Sequence, residues 1–464
     1  MKIKNFKWKK ITCIVLSVLF IGMTPFTARA EVYWPEGPAI NTPCATVIEI
    51  NSGTVLYEKN FDEVNYPASI TKVMTTLLAL EYCEMDEIVT FSDDAINLNQ
   101  GNTSHIARDY GEQMTMEQCV YAIMLESANE CSYAVAEHVG QKLGGDYRTF
   151  IDLMNERAKE LGCVNTHFNN SNGLPDPDHW TSAHDMALIS AEAYKNELFR
   201  SIVGSRSYRI PATNKHDTIT PLNNHHAMIS NYKTTEHLYE YCTGGKTGYT
   251  DISGATLVTF AEKDGLSLVC VVMRTNTKEQ YLDTRTLLDY CFQNFKMFSV
   301  AENTDIGKDE QEDRGIMENH KSYVDIDEES YVVLPVTASF SDVVASKESS
   351  NLPENTVGQL MYTYGGRMVG KVDIVPASIT IEDNYFEMEK QNTDINVVTI
   401  KASTLALIGI IFVLFIIGII IAKHVYDNYY LILHNIDSRK KRKSRFKPIN
   451  KKKKRWRRRD RMFK

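Results

Sequence analysis

Pro67-Ala68-Ser69-Ile70-Thr71-Lys72, continued by Val73-Met74-Thr75-Thr76-Leu77-Leu78-Ala79-Leu80, is the stretch on which the reading of this chain turns. Ile70 to Leu80 is apolar on nearly all sides, which predicts a buried helix. A serine and a lysine three residues apart at the start of that helix lie side by side on one face. The surrounding apolar helix partly desolvates the Lys72 ammonium, lowers its pKa and makes the free amine accessible. A free amine can take the Ser69 proton and turn a poor nucleophile into a good one. At a helix N-terminus, Ser69 can also present its own backbone N–H to an oxyanion. One S-x-x-K tetrapeptide is weak evidence by itself, because such tetrapeptides arise often by chance.

Two later segments give it force. Leu125-Glu126-Ser127-Ala128-Asn129-Glu130 lies between two helical patterns. Ser127 and Asn129 would diverge on a helix, but on an inter-helix turn both can face one cleft. Ser127 can then relay a proton to a departing amine, and Asn129 can hold a substrate amide. Further on, Lys246-Thr247-Gly248 follows Gly244-Gly245 and precedes Tyr249-Thr250. On a strand bordering the cleft, Lys246 and Thr247 would offer a cation and a hydroxyl to a substrate carboxylate. Gly248 would let substrate backbone come close, and the Tyr249 N–H would be a second oxyanion donor. Alone, the first segment reads as an ordinary Ser/Asn turn and the second as a glycine-rich β-turn. Together and in this order, S-x-x-K, S-x-N and K-T-G form the three-part set of penicillin-binding proteins and serine β-lactamases.

The rest of the chain from Glu31 to about Phe298 alternates strand-like and helix-like segments. Ala45–Asn51, Ser52-Gly53 and Thr54–Tyr57 read as a hairpin. Thr115 and Gln118 form a capping-box pattern ahead of Val120–Leu125. Ala134–Val139 is helical, with Gly140 as its expected stop. Ala255–Ala261 and Leu266–Met273 read as strands, and Arg285–Phe298 as a closing helix. After a polar, acidic stretch, Tyr331–Val336, Val357–Tyr364 and Met368–Val375 are short strand patterns, with Gly365-Gly366 as a hairpin turn. About 370 residues between the two ends are too many for one core. The expected fold is α+β: a β-lactamase/transpeptidase-like catalytic domain, an antiparallel sheet with helices, followed by a small all-β domain and a C-terminal transmembrane helix.

The chain resembles the low-molecular-weight penicillin-binding proteins that act as D-alanyl-D-alanine carboxypeptidases of the serine peptidase family. Besides the three motifs, Asn170-Ser171-Asn172-Gly173-Leu174 and His179-Trp180-Thr181-Ser182-Ala183-His184-Asp185-Met186-Ala187 are similar to that family's N-x-x-G-L and H-x-T-A-x-D-x-A stretch. The resemblance covers roughly residues 35–295. It implies removal of the terminal D-alanine from peptidoglycan stem peptides through an acyl-enzyme, trapping by β-lactams, and no cofactor. His179 and His184 are expected to make structural hydrogen bonds. Glu130-Cys131 departs from the family's more usual Asp-Ala, which bears on deacylation. Two other readings stay open. A β-lactamase shares the motifs but needs an extra carboxylate that nothing here clearly supplies. A non-hydrolytic peptidoglycan or β-lactam sensor would signal inward through the tail.

The ends place the chain at a membrane. Five lysines precede the apolar stretch Ile11–Met23, and Ala28-Arg29-Ala30 is a small-x-small cleavage pattern. Ala402 to Ala422 carries no charge in 21 residues, which at about 1.5 Å per residue spans a bilayer core. From Arg439 to Lys464 there are 17 basic residues and one acid, Asp460, and such charge stays on the cytoplasmic side, near anionic lipid. Between Glu31 and Lys401, 27 basic and 56 acidic residues give a net charge of −29. So acidic an exported body argues against a nucleic-acid partner. The expected order is a signal peptide (1–30), catalytic domain (31–298), acidic linker (299–322), β-rich domain (323–390), transmembrane helix (402–422) and basic cytoplasmic tail (423–464). Eight cysteines remain beyond Cys13, scattered and without zinc-like spacing. The even number permits disulfides outside the cytoplasm, but that pattern assigns no disulfide and no metal site.

Overall fold

The computed structural model describes residues 33–97, 103–304, 324–326, 330–348, 356 and 358–376. The expected signal peptide, transmembrane helix and basic tail, and most of the expected acidic linker, lie outside the described residues. Among the described residues no helix is long and apolar enough to cross a membrane.

The expected hairpin forms as β1 (Cys44–Glu49) and β2 (Val55–Lys59). Ser69 then sits in a 3-10 turn, Ala68–Thr71, that runs into helix α1 (Lys72–Tyr82). The capping box closes as predicted: Thr115 Oγ1 accepts from the Gln118 N–H, and the Thr115 N–H donates to Gln118 Oε1. Helix α2 (Asn129–Lys142) follows. It runs through Gly140 and ends two residues later. Gly140 is there for space, since a Cβ would stand 1.9 Å from the Asp146 carbonyl oxygen. Helix α3 (Ala183–Lys195) precedes three long strands, β3 (Cys242–Thr250), β4 (Gly254–Lys263) and β5 (Leu266–Thr275).

These strands make one antiparallel five-stranded sheet in the order β2-β1-β5-β4-β3. Their apolar runs are continuous because both faces are covered. Val269, Val271 and Met273 join the large helical core around α1, α2 and α3. Leu268, Cys270 and Val272 point the other way, into a core with Leu287, Leu288 and Cys291 of helix α4 (Glu279–Asn294). The period of two along β5 therefore feeds two cores at once. β3 is left at the sheet edge, where an unpaired row of backbone groups faces outward.

Helix α4 begins and ends earlier than the expected Arg285–Phe298. Phe295–Ser299 is strand β6, paired antiparallel with β8 (Tyr331–Pro335). A short helix, Val300–Asn303, follows, with Val300 buried, so the expected linker starts inside folded structure. The late strands also include β7 (Val324–Ile326), β9 (Val344–Glu348), β10 (Gly358–Tyr364) and β11 (Arg367–Pro376). Their sheet order is β7-β11-β10-β9, and Gly365 and Gly366 turn the hairpin with φ of 59° and 81°. They have their own core of Val332, Leu334, Tyr362, Tyr364, Val369 and Val372. They also hold to the rest of the unit: Tyr331 Oη donates to Glu49 Oε1 at 2.7 Å, and Trp34 packs between Phe295 and Tyr364.

Candidate active site

Local backbone makes the site. Ala68 has φ 51°, a left-handed conformation that costs a non-glycine residue energy. It throws the chain into the 3-10 turn with Ser69 at the tip. Two glycines clamp this turn. A Cβ on Gly173 would lie 1.8 Å from the Ala68 carbonyl oxygen, and one on Gly248 would lie 2.9 Å from the Ser69 nitrogen. The Thr256 hydroxyl donates to the Pro67 carbonyl at 2.8 Å, fixing the turn to β4. Edge strand β3 thus lies directly against the Ser69 backbone.

Lys72, the first residue of α1, is fully buried. Its Nζ lies 3.0 Å from Ser69 Oγ, 2.7 Å from Asn129 Oδ1 and 2.5 Å from the Asn172 carbonyl oxygen. The last two atoms only accept. A neutral amine has two N–H groups and one lone pair. In the free amine both N–H groups would go to Asn129 and Asn172, which would leave the lone pair for the Ser69 hydroxyl. Burial, and then the charge of Lys246, hold the Lys72 pKa well below that of an ordinary lysine. The positive end of α1 acts in the same direction.

Ser127 closes the other side. The helix that carries the capping box widens to a π turn over Ala122–Glu126, and Ser127 follows with φ 61° and ψ 30°. The wide turn and the left-handed residue aim its hydroxyl away from the helix axis. Ser127 Oγ is buried without a protein partner. Glu126 anchors the loop, accepting from the Asn223 N–H at 2.6 Å and pairing with His225 at 2.9 Å.

A cavity of about 510 Å³ opens beside these groups, lined by Ser69, Ser127, Thr247, Gly248 and Tyr249 and also by His237. Of the eight expected site residues, those five face the cavity. Lys72, Asn129 and Lys246 stand buried behind it. The Asn129 oxygen is committed to Lys72 rather than pointed outward. Lys246 Nζ donates to the Thr247 carbonyl at 2.8 Å, and burial lowers its pKa to about 7. Glu130 is buried too. Its Oε1 accepts from the Ile106 N–H at 2.6 Å, and burial raises its pKa.

The Asn170–Leu174 loop carries more than its resemblance implied. Its Asn172 carbonyl holds Lys72, and its Ser171 carbonyl accepts from Thr75 on α1 and Ser132 on α2, both at 2.6 Å. Backbone acceptors leave no residue-type signal, so a motif search does not find them. His179 behaves as expected of a structural residue. The Asn169 N–H donates to its Nδ1 at 3.0 Å, which leaves Nε2–H to donate to Thr71 Oγ1 at 2.8 Å. Burial drives its pKa down to about 3. His184 is partly exposed near Asp62, at 3.6 Å.

Comparison with known proteins bears on the family and the fold. The family profile described as D-alanyl-D-alanine carboxypeptidase matches residues 31–277. The chain is 31% identical over 295 residues to the D-alanyl-D-alanine carboxypeptidase DacF of Bacillus subtilis, covering 61% of this chain and 72% of that protein. It is 28% identical over 372 residues to DacA of Escherichia coli, covering 76% and 87%. Penicillin binding protein 5 from Haemophilus influenzae superposes with a TM-score of 0.56 at 25% identity, over 74% of this chain and 98% of that one.

Proposed function

The chain belongs to the D-alanyl-D-alanine carboxypeptidase family, and from that premise we propose how its own residues do the work. The protein is a serine-type D-Ala-D-Ala carboxypeptidase of peptidoglycan, and β-lactams acylate it as substrate mimics. Ser69 Oγ attacks the carbonyl of the penultimate D-alanine while Lys72 Nζ accepts the hydroxyl proton. The N–H groups of Ser69 and Tyr249 hold the oxyanion. The bond to the terminal D-alanine breaks as Ser127 relays the proton held by Lys72 to the departing amine, which frees the Lys72 amine. Water then attacks the Ser69 ester, giving up a proton to Lys72; the Ser69 Oγ–acyl bond breaks, Ser69 Oγ takes that proton back, and the shortened peptide leaves. Asn129 orients Lys72 and the substrate amide together. Lys246 and Thr247 receive the terminal carboxylate, and Gly248 admits the substrate backbone along edge strand β3.

The observation that carries this reading is the triple contact of Lys72, which leaves its lone pair only Ser69. The β-lactamase alternative lacks its extra carboxylate, since no Asp or Glu is among the described residues lining the cavity. The proposed layout keeps the β-rich part (323–390) as a domain beside the catalytic one. It also keeps export by residues 1–30, anchoring by 402–422 and a cytoplasmic tail from 423, on the strength of the uncharged run and the basic stretch. Labelling the full chain with a fluorescent penicillin, alongside assay of D-alanine release, tests the mechanism. Ser69→Ala should abolish both, whereas a penicilloyl adduct on that variant, seen by intact mass, would overturn the assignment.

A further inference from the structure

At the far end of α1, three side chains of metal-ligating type converge. Cys83 is the residue that terminates α1. A tight turn follows, in which the Glu84 N–H donates to Glu87 Oε1 at 2.7 Å and the Glu87 N–H to the Glu84 carbonyl. The turn is pinned from outside, because the Met116 N–H donates to the Glu87 carbonyl and the Glu117 N–H to that of Met85. His138 reaches over from α2, with Nε2 2.8 Å from Glu87 Oε2. The Cys83 sulfur, a Glu87 oxygen and a His138 nitrogen all lie within 4.8 Å of one another.

We propose that Cys83, Glu87 and His138 form a site for a thiophilic divalent cation, with zinc as the best fit. The donor set of one thiolate, one imidazole and one carboxylate is a zinc set, with a fourth tetrahedral position open to water. Zinc–donor bonds of about 2.0–2.3 Å put tetrahedral donors roughly 3.4–3.7 Å apart. Side-chain rotations that part His138 Nε2 from Glu87 Oε2, now 2.8 Å apart, and draw the Cys83 sulfur in from at most 4.8 Å bring the cluster to that size. Coordination releases the Cys83 thiol proton to solvent, and His138 binds through its neutral Nε2. Glu87 and His138 are each about one-fifth exposed, which leaves a route for the ion. Lys142 Nζ, 2.5 Å from Glu87 Oε1, is more exposed and can swing aside.

The position gives the ion a role. Lys72 opens α1 and Asn129 opens α2, and the cation ties the end of α1 to the later turns of α2. At 1.5 Å per residue the site stands about 16 Å along α1 from Lys72. The ion clamps the two helices whose N-termini build the catalytic cluster and takes no part in the chemistry. The sequence hides this site because its donors are separated as 83, 87 and 138.

Cobalt titration of the purified, chelator-treated full chain tests the proposal. One equivalent should give a near-ultraviolet thiolate-to-cobalt band that zinc abolishes. Cys83→Ser should lose the band. His138→Ala, a change on a partly exposed helix position, should weaken zinc binding by about 100-fold or more, beyond the 10- to 100-fold that outer-shell partners alone supply. Zinc should also raise the melting temperature of the parent and not of either variant. No band, a band that survives Cys83→Ser, or unchanged affinity in His138→Ala would overturn the site and leave an ion network of His138, Glu87 and Lys142 only.

Discussion

Lys72 and Asn129, 57 residues apart, meet at 2.7 Å, and each is the first residue of its helix. Two positive helix ends therefore converge on one amine, which disfavours its ammonium form. The same contact spends one of the amine's N–H groups and helps aim its lone pair at Ser69.

Lys72→Arg puts a longer, permanently charged side chain at this position, one that cannot give up its proton at working pH. Acylation by penicillin should fall by orders of magnitude while the fold persists. Near-normal acylation with an unchanged melting temperature would move the base elsewhere, to Ser127 acting with Lys246.

Lys246, with a pKa of about 7 before substrate binds, makes carboxylate docking depend on pH. Its folded pKa lies below the ordinary lysine value, so the ammonium is present below about pH 7 and lost above it. KM for a peptide ending in free D-Ala-D-Ala should rise as pH climbs past 7, while KM for the C-terminal amide should stay flat. Lys246→Ala should raise KM for the acid roughly 10- to 100-fold, the equivalent of a charge-assisted hydrogen bond of about 1.5–3 kcal/mol. Equal KM values for acid and amide in the parent would exclude docking at this strand.

His226 is buried against Thr259 and the Val258 carbonyl, and burial lowers its pKa to about 4. A depressed histidine pKa means that the unfolded chain binds the proton first. The stability it contributes is complete above pH 6.5 and is lost as pH falls from there to about 4. The loss from His226 alone is on the order of 3 kcal/mol, and His179 extends it to lower pH. Urea midpoints measured from pH 7 to pH 4 should fall steadily and should fall less in His226→Gln. A flat profile in the parent would show that these rings are not buried neutral.

Ala402–Ala422 is expected to span the membrane with residues 423–464 inside. Truncation before Ala402 should release an active, penicillin-labelled protein into the medium. Protease added to wall-stripped cells should digest the exported part and spare a tag on Lys464. A tag cleaved in intact cells would place the tail outside.

Much of the site was legible in sequence because its chemistry is carried by residue types at short spacing. Ser69 and Lys72 share one turn, Ser127 and Asn129 flank another, and Thr247, Gly248 and Tyr249 are consecutive. The same holds for the β1–β2 hairpin and the Thr115–Gln118 cap, whose signals are a turn and a four-residue box. Other features carry no local mark. The Asn172 carbonyl that holds Lys72 is a backbone atom common to every residue type. The helix end at Asn294 escaped detection because Phe295–Ser299 is a strand only in the presence of β8, its partner more than thirty residues on. The burial of Lys246 and Asn129 behind the cavity wall was equally hidden. The sequence by itself carried the resemblance to the family, the reaction that resemblance implies and the candidate site residues, since its three motifs are short runs of particular residue types. Only the tertiary structure decided which lone pair faces Ser69 and which donors meet at Cys83, because those arrangements depend on contacts between segments 50 to 100 residues apart.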